Sequence, residues 1–324
     1  MKISLISDDL TNQSLIREID CFHLKNNFFD RFLLNRSDFL LVESAWNGNE
    51  GRFRHQIASY PEHTKRNNEK LLKLLEIANK KGIPTVFWDK EGEVHFDRFI
   101  DSAKYFDHIL TVDENCVSKF RKIVPESTSV NIAMFPVQPK IHSFRDMKSR
   151  TISANFVGSY NSHSLRQVRQ EMLFNIVEKT DFPLTIYDRN YSNHLHNLTF
   201  PKDKFNLNIR PNIKYLQTAQ IYQNDLVSFN VNTVENSPTM FSRRVVEILA
   251  CGGILISTPS VAVERLFSDY CYIIQSEEEG VELLNRLKYG PTKFDIERAK
   301  AGSDFVLNNL TWDHFLKNIY SIIK

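Results

Sequence analysis

The residues best suited to chemistry lie between Ser228 and Ser260, in the stretch SFNVNTVENSPTMFSRRVVEILACGGILISTPS. Its polar candidates are Ser237, Thr239, Ser242, Arg243, Arg244 and Glu247. Two adjacent arginines near a helix start oppose the helix dipole unless an anion binds between them, and a phosphate or diphosphate would resolve that conflict. Glu247 lies one turn further on, where a carboxylate can accept bonds from the hydroxyl pair of a ribose. The pattern favours a nucleotide site over a helix with solvated charges.

The elements around these residues form one strand–loop–helix–strand unit. Leu226 to Val231 is an apolar, β-branched run that predicts a strand, and Asn232 to Thr239 is a polar loop. The helix is predicted from Met240 to Cys251, and Ile254 to Ser257 is the next strand. In open α/β sheets ligands bind at the carboxyl ends of the strands, where this loop would lie.

The segment NVNTVENSPTMFSRRVVEILACGG resembles the nucleotide-sugar half of bacterial GT-B glycosyltransferases, specifically the CgeB-like (spore maturation protein type) group. The resemblance implies that Glu247 binds the ribose, as the second Glu of an E-x7-E signature does. The first Glu of that signature falls at Thr239, so the resemblance does not indicate how the donor sugar is held or whether the enzyme retains or inverts. It also implies donor contacts from Ser237, Met240, Phe241, Arg243 and Arg244.

Three further segments of the C-terminal half fit a donor site. A strand over Ile152 to Val157 leads into Gly158-Ser159-Tyr160, and the absence of a Cβ at Gly158 allows a diphosphate to approach the backbone. The resemblance assigns the donor site Gly158, Ser159, Tyr160, Arg189 at the end of the next strand, and Arg210 beside the base. Arg166 and Arg169 fit phosphate contacts and a solvated helix surface equally well.

Two strand-end loops of the N-terminal half, VESAWNGNEG and WDKEGEVHF, combine carboxylates with a histidine. Such a pair can act as general acid or base, although a charged turn and a helix-capping histidine explain the same residues. The resemblance favours the acceptor side, with His95 and Glu43 as the catalytic candidates. The predicted acceptor or cleft residues are Trp46, Asn47, Asp89, Lys90 and Glu91.

Alternating strands and helices along all 324 residues predict an α/β protein with two parallel sheets. We expect a GT-B fold, in which two Rossmann-like domains face each other across a cleft. The predicted boundaries are 1–140 for an acceptor domain, completed by a helix at 311–324, and 150–308 for a donor domain. Pro136 to Arg150 is predicted to be the linker between them.

Composition restricts the function classes. A net charge of +2 does not indicate a nucleic-acid partner, and no apolar run reaches transmembrane length. The N-terminus does not resemble a signal peptide, and four scattered cysteines predict reduced thiols, so we expect a cytoplasmic protein. His194 and His196 lack neighbouring ligands, and we predict no metal site.

The predicted activity is transfer of a sugar from a nucleoside-diphosphate sugar, most simply of UDP type, to an acceptor hydroxyl, without metal or other cofactor. The acceptor is expected to be a glycan or lipid-linked sugar in bacterial surface polysaccharide synthesis, with peripheral contact at the inner face of the membrane. A dinucleotide-dependent oxidoreductase would need glycines after the first strand, and SDDLTN contains none. A non-catalytic sugar-nucleotide-binding or scaffold protein of the same fold remains the alternative.

Overall fold

The computed structural model describes residues 2–63, 65–162, 166–192 and 196–324, so that His194 lies outside the described residues. The chain forms two compact units. The first contains residues 1–138, 238–240 and 311–324, and the second contains residues 139–237 and 241–310. Each unit has a six-stranded sheet in which all strands are parallel. The predicted fold class, with two Rossmann-like parallel sheets, is confirmed.

The first unit has the strand order β2-β1-β3-β4-β5-β6. Its strands are β1 Lys2–Ile6, β2 Asp20–His23, β3 Phe39–Glu43, β4 Thr85–Asp89, β5 His108–Thr111 and β6 Ser129–Ile132. Its helices are α1 Asp9–Leu15, α2 Asp30–Leu34, α3 Glu69–Lys80, α4 Phe96–Ala103 and α5 Glu114–Arg121, with 3-10 turns at Asn49–Gly51 and Gly92–His95. The central strands β3 and β4 are buried along their whole length, as expected for a sheet covered on both faces.

The second unit has the strand order β9-β8-β7-β10-β11-β12. Its strands are β7 Thr151–Gly158, β8 Leu184–Asp188, β9 Asn208–Pro211, β10 Asp225–Asn230, β11 Ile254–Ser257 and β12 Tyr272–Ile273. Its helices are α6 Arg166–Thr180, α7 Thr218–Asn224, α8 Arg244–Ala250, α9 Val261–Phe267, α10 Glu277–Leu287 and α11 Lys293–Asn309, with 3-10 turns at Met147–Ser149, His196–Leu198 and Tyr215–Gln217.

The last helix, α12 Trp312–Ile323, belongs to the first unit. Trp312 and Phe315 pack against the buried Trp88 of β4, with ring centroids 5.6 Å and 4.8 Å away, respectively. Such aromatic contacts add to the free energy gained from burial alone. The C-terminus of the chain is thereby anchored in the core that surrounds β4.

Several helix boundaries differ from the sequence prediction. Helix α8 begins at Arg244 rather than Met240, because residues 238–240 are drawn into the first unit. The Thr239 hydroxyl there donates to the Val112 carbonyl (2.9 Å) and accepts from the Glu114 amide (2.8 Å). These bonds hold the segment away from helical geometry.

Each sheet has a position where the strand order reverses its direction of growth. In the second unit this switch lies between β7 and β10, and in the first it lies between β1 and β3. Crevices outside the carboxyl ends of strands at such switch points are where ligands bind in open α/β sheets. The residues that follow β7, β10, β1 and β3 are therefore the first place to look for function.

The second unit depends on one buried arginine outside that edge. Arg150, which precedes β7, donates to the carbonyls of Tyr222 and Asp225 and to those of Arg145 and Cys251. Burial lowers its pKa to about 10, so it is still charged at neutral pH. Residues 139–150 of the predicted linker therefore belong to the second unit, and Arg150 fixes their end to it.

We expect Arg150→Met to destabilise the second unit by roughly 3 kcal/mol or more, because it removes charge-assisted hydrogen bonds to four carbonyls. Urea unfolding followed by circular dichroism measures this change. Arg298→Met is the matched control, since Arg298 is only partly buried and donates to the carbonyls of Ser268 and Asp269. The control should lose less than about 1 kcal/mol. Equal losses in both variants would contradict the role given to Arg150.

Candidate functional site

Three arginines of the second unit converge on the turn after β7, and a fourth lies near them. Arg166 Nη2 donates to the Ser159 carbonyl (3.2 Å), and Arg189 Nη2 lies 3.3 Å from the Ser159 hydroxyl. Arg244 Nη2 would lie 3.5 Å from a Cβ atom at Gly158, so the glycine leaves the guanidinium next to the backbone. The fourth, Arg169, donates to the Asn232 carbonyl. The guanidinium groups of Arg166, Arg189 and Arg244 therefore lie beside Gly158 and Ser159 at the switch point of the sheet.

Positive charge in this cluster exceeds the negative charge beside it. Arg169 forms an ion pair with Glu235 at 2.9 Å. Among the described residues, no carboxylate forms an ion pair with Arg166, Arg189 or Arg244. Burial is the main cause that lowers the pKa of Arg166, to about 10, and the neighbouring arginines lower it further. Unbalanced like charges of this kind are costly unless an anion binds among them.

Arg244 is held in place by neutral partners. Its Nη1 donates to Asn230 Oδ1 (3.1 Å), and its guanidinium stands over the Phe156 ring at 4.9 Å. Asn230 also donates to Asn232 and to Ser257, so the ends of β10 and β11 are tied into one polar network. Burial lowers the pKa of Arg244. The side chain is positioned without being neutralised, as a fixed anion-binding group must be.

Glu247 lies on α8, one turn after Arg243, and is 4% exposed. Burial raises the pKa of its carboxyl to about 7, although Arg243, a hydrogen bond from Tyr215, and Arg244 all oppose that rise. Its Oε1 atom is buried without a hydrogen-bond partner among the described residues. A buried acceptor in that state favours a ligand that donates a hydrogen bond, such as a hydroxyl.

The other predicted donor residues of the second unit occupy several environments. Tyr160 packs on Phe200 and donates to Glu171, and Phe241 packs edge-on against Phe267, so both rings lie in the core. Ser237 is fully buried. Arg210 is exposed on the edge strand β9. The Tyr160 and Phe241 side chains therefore pack in the core, and Arg210 faces solvent.

Two predicted donor residues lie in the first unit. The Thr239 hydroxyl is bonded to the carbonyl of Val112 and the amide of Glu114. Met240 approaches Gly92 so closely that a Cβ atom there would lie 2.6 Å from its Sδ. These two side chains close the end of β5 and the turn after β4.

The switch point of the first unit holds a charged triad. Glu43, at the end of β3, is fully buried, and its Oε1 accepts from Lys90 Nζ (2.9 Å) and from the Asp8 amide (2.5 Å). Lys90 Nζ also lies 3.4 Å from Asp8 Oδ2. Glu43 Oε2 is buried without a hydrogen-bond partner among the described residues. The triad thus fixes one lysine at the carboxyl edge of the sheet.

The loop that contains Asn47 is anchored by the same Asp8 carboxylate. It accepts from the amides of Trp46, Asn47 and Gly48 at 3.3, 3.2 and 2.9 Å. Asn47 itself is exposed. These three bonds fix the backbone from which the Trp46 side chain extends.

His95 and Glu91 stand beside Trp46. The Trp46 ring meets the His95 ring edge-on at 5.0 Å, and its indole donates to the Glu91 carboxylate. His95 Nε2 lies 3.9 Å from Glu91 Oε2. Burial and then Arg98 lower the pKa of His95, so that it is neutral at neutral pH, while burial raises the pKa of Glu91. A neutral, half-exposed imidazole beside a carboxylate can accept a proton.

Asp89 has a local role in that region. Its Oδ1 accepts from the amides of Glu91 and Gly92, and its Oδ2 accepts from the Thr111 hydroxyl. Burial raises its pKa to about 6 despite these bonds. Both oxygens are used to shape the turn that presents Lys90, Glu91 and His95.

Sequence reasoning left two residues of these sites out of its candidate set. The sequence fits Arg166 equally well to a phosphate contact and to a solvated helix surface, and in the structure its guanidinium donates to the Ser159 carbonyl. Asp8 was interpreted only as part of an exit loop, yet its carboxylate organises the loop after β3. Its position directly after the first buried strand was the signal that could have identified it.

Part of the chain matches a known protein family. Residues 166–321 match a family model described as "Glycosyl transferase-like". No curated protein matches the sequence. Among the described residues, there is no group of three or more potential metal ligands, and none of the described helices combines the length and apolarity needed to cross a bilayer.

Several solved structures share the fold. HepE from Anabaena, solved with UDP and glucose, has 10% identity and a TM-score of 0.58 over 99% of this chain and 90% of its own. An alpha-glucosyltransferase solved with UDP and DNA has 12% identity and a TM-score of 0.66 over 99% and 98%. WaaG, a glycosyltransferase of lipopolysaccharide biosynthesis, has 10% identity and a TM-score of 0.55 over 98% of both chains.

The pKa of Glu247 leads to a prediction about stability. The folded value of about 7 exceeds the ordinary value of 4.5, so the folded protein binds a proton that the unfolded chain releases. Stability from this group is therefore lost as the pH rises between these values. From pH 5 to pH 8, wild type should lose roughly 3 kcal/mol more than Glu247→Gln.

Urea unfolding of both proteins at the two pH values measures that difference. The raised pKa of Asp89 acts over a similar range in both proteins, so the comparison isolates Glu247. An identical pH dependence of the two proteins would contradict the raised pKa of the buried Glu247 carboxyl.

Proposed function

We propose that this chain, whose residues 166–321 match the glycosyl transferase-like family and whose two units have the GT-B fold, transfers a sugar from a nucleoside-diphosphate sugar to an acceptor hydroxyl. The observation that carries the proposal is the convergence of Arg166 and Arg189 on Ser159 and of Arg244 on the adjacent Gly158, at the switch point of the second sheet. A donor diphosphate supplies the negative charge that this cluster lacks.

The donor is placed by two different interactions. The diphosphate binds among the arginines, where Gly158 and Ser159 offer backbone at close range. The ribose hydroxyls donate to Glu247, whose buried Oε1 on α8 has no hydrogen-bond partner within the described part of the chain. UDP is the expected nucleotide, which is supported by the UDP in the similar HepE and alpha-glucosyltransferase structures.

The proposed reaction breaks the bond between the anomeric carbon and the diphosphate oxygen and forms a bond to the acceptor oxygen. The leaving diphosphate gains negative charge, and the arginines stabilise it as it develops. The acceptor hydroxyl loses its proton to a base. His95 fits that role better than Glu43, because its imidazole is neutral and half-exposed whereas the Glu43 carboxylate is paired with Lys90.

The finer assignment is a CgeB-like enzyme whose donor unit is the second and whose acceptor unit is the first. Trp46, Asn47, Lys90 and Glu91 then contact the acceptor, and Asp89 shapes their turn. The acceptor is a glycan or lipid-linked sugar of the bacterial surface, reached from the cytoplasmic side with peripheral contact to the membrane. The similarity to WaaG, an enzyme of lipopolysaccharide biosynthesis, supports this class of acceptor.

A non-catalytic sugar-nucleotide-binding protein of the same fold is the alternative. The observation that favours it is Thr239, whose hydroxyl is bonded within the first unit at the position of the first signature Glu. Such a protein would bind the nucleotide sugar and neither hydrolyse nor transfer it.

A thermal-shift panel of UDP, GDP, CDP, dTDP and NAD tests the donor site. We expect UDP to raise the melting temperature by several degrees, because saturation at about one hundred times Kd stabilises the native state by about 2.7 kcal/mol. Glu247→Ala should lose most of this shift. Selective stabilisation by NAD, or a full UDP shift in the variant, would contradict the assignment.

Turnover separates the two candidate functions. UDP release from UDP-sugars, with and without a mixed glycan acceptor extract, should be detectable for wild type and lost in His95→Ala, which should keep the UDP shift. Binding without turnover by wild type would favour the non-catalytic alternative.

A further inference from the structure

Three phenylalanines stand close together on the surface of the first unit. Phe28, Phe29 and Phe32 are 79%, 70% and 54% exposed, respectively. The rings of Phe28 and Phe29 meet edge-on at 6.2 Å. Single exposed apolar residues are ordinary, but a cluster of large aromatic ones marks an interaction surface.

The segment that carries these rings is held in place by specific hydrogen bonds. Asp30 is 1% exposed, and its carboxylate accepts from the amides of Lys25 (2.9 Å) and Asn27 (3.1 Å). Asn26, which has a left-handed φ of 58°, donates from its side chain to the Arg52 carbonyl and to Gln56. This closed turn keeps Phe28 and Phe29 directed outward.

The exposed charges of residues 25–36 have one sign. Lys25, Arg31 and Arg36 are exposed, and Asp30, the only acidic residue from position 25 to 36, is buried. The Arg31 guanidinium lies 5.9 Å from the centroid of the Phe28 ring, and that of Arg36 lies 4.3 Å from the centroid of the Phe32 ring. Cations with apolar stems beside aromatic rings can keep their charge at the polar boundary while the rings enter an apolar phase.

We propose that this surface, which we call the Phe28 patch and which consists of Lys25, Phe28, Phe29, Arg31, Phe32 and Arg36, docks the protein on an anionic lipid bilayer. The rings insert at the boundary between head groups and acyl chains, and the three cations meet the anionic head groups. The three rings are exposed, and the charge of the patch is complementary to that of an anionic membrane.

The location of the patch relates membrane docking to the proposed reaction. The segment starts after β2, at the same carboxyl edge of the first sheet that holds Asp8 and Glu43. A membrane bound there brings the proposed acceptor residues to the lipid surface, where a lipid-linked sugar would be found. This relation rests on the proposed function, whereas the docking itself does not.

Sedimentation of the whole protein with vesicles tests the docking. Wild type should bind vesicles of phosphatidylcholine with phosphatidylglycerol, bind pure phosphatidylcholine much more weakly, and dissociate as salt is raised. Phe28→Ser/Phe29→Ser and Arg31→Glu/Arg36→Glu should each reduce binding by about tenfold or more. Phe294→Ser is the matched control, because Phe294 is 61% exposed with Arg298 near its ring.

The control should bind vesicles as wild type does, and every variant should keep the wild-type UDP shift, which separates this test from the donor assignment. Failure of wild type to bind anionic vesicles, or undiminished binding by both patch variants, would overturn the proposal. A concentration-dependent dimer in sedimentation velocity that Phe28→Ser/Phe29→Ser abolishes would assign the patch to a second copy of the chain and would also overturn it.

Discussion

The concentration of like charge at one sheet edge is the constraint on which the second unit depends. Arg166, Arg189 and Arg244 approach one turn without an ion-paired carboxylate among the described residues, and they are positioned by carbonyl, hydroxyl and amide groups instead. Neutral partners fix a cation without satisfying its charge. The arginines therefore keep an unbalanced positive charge, and an anionic ligand that binds among them gains the free energy of pairing with it.

Glu247 shows the same compromise for a negative group. Burial raises its pKa to about 7 even though two arginines oppose the rise, and one oxygen keeps no hydrogen-bond partner among the described residues. A glutamine at this position would be less costly to bury. Retaining a carboxylate here is understandable if a hydroxyl pair binds to it, and sites of this kind commonly reduce stability for the sake of function.

The sequence was sufficient wherever local pattern decides the outcome. Strand β11 has the predicted bounds, and β10 differs from its predicted bounds by one residue at each end. The prediction was wrong where long-range contacts decide. Helix α8 starts four residues late because Thr239 bonds to Val112, which follows β5. Helices α1 and α2 were missed, and so was the role of Asp8, because its carboxylate acts across about forty residues of chain.

The central claim is that the arginine cluster binds the donor diphosphate. Calorimetric titration of wild type and Arg166→Met with UDP and with uridine tests it directly, because only UDP carries the diphosphate. We predict that the variant binds UDP at least about tenfold more weakly and binds uridine as wild type does, since one charge-assisted hydrogen bond is worth about that factor. An equal loss for both ligands, or no loss for UDP, would contradict the account.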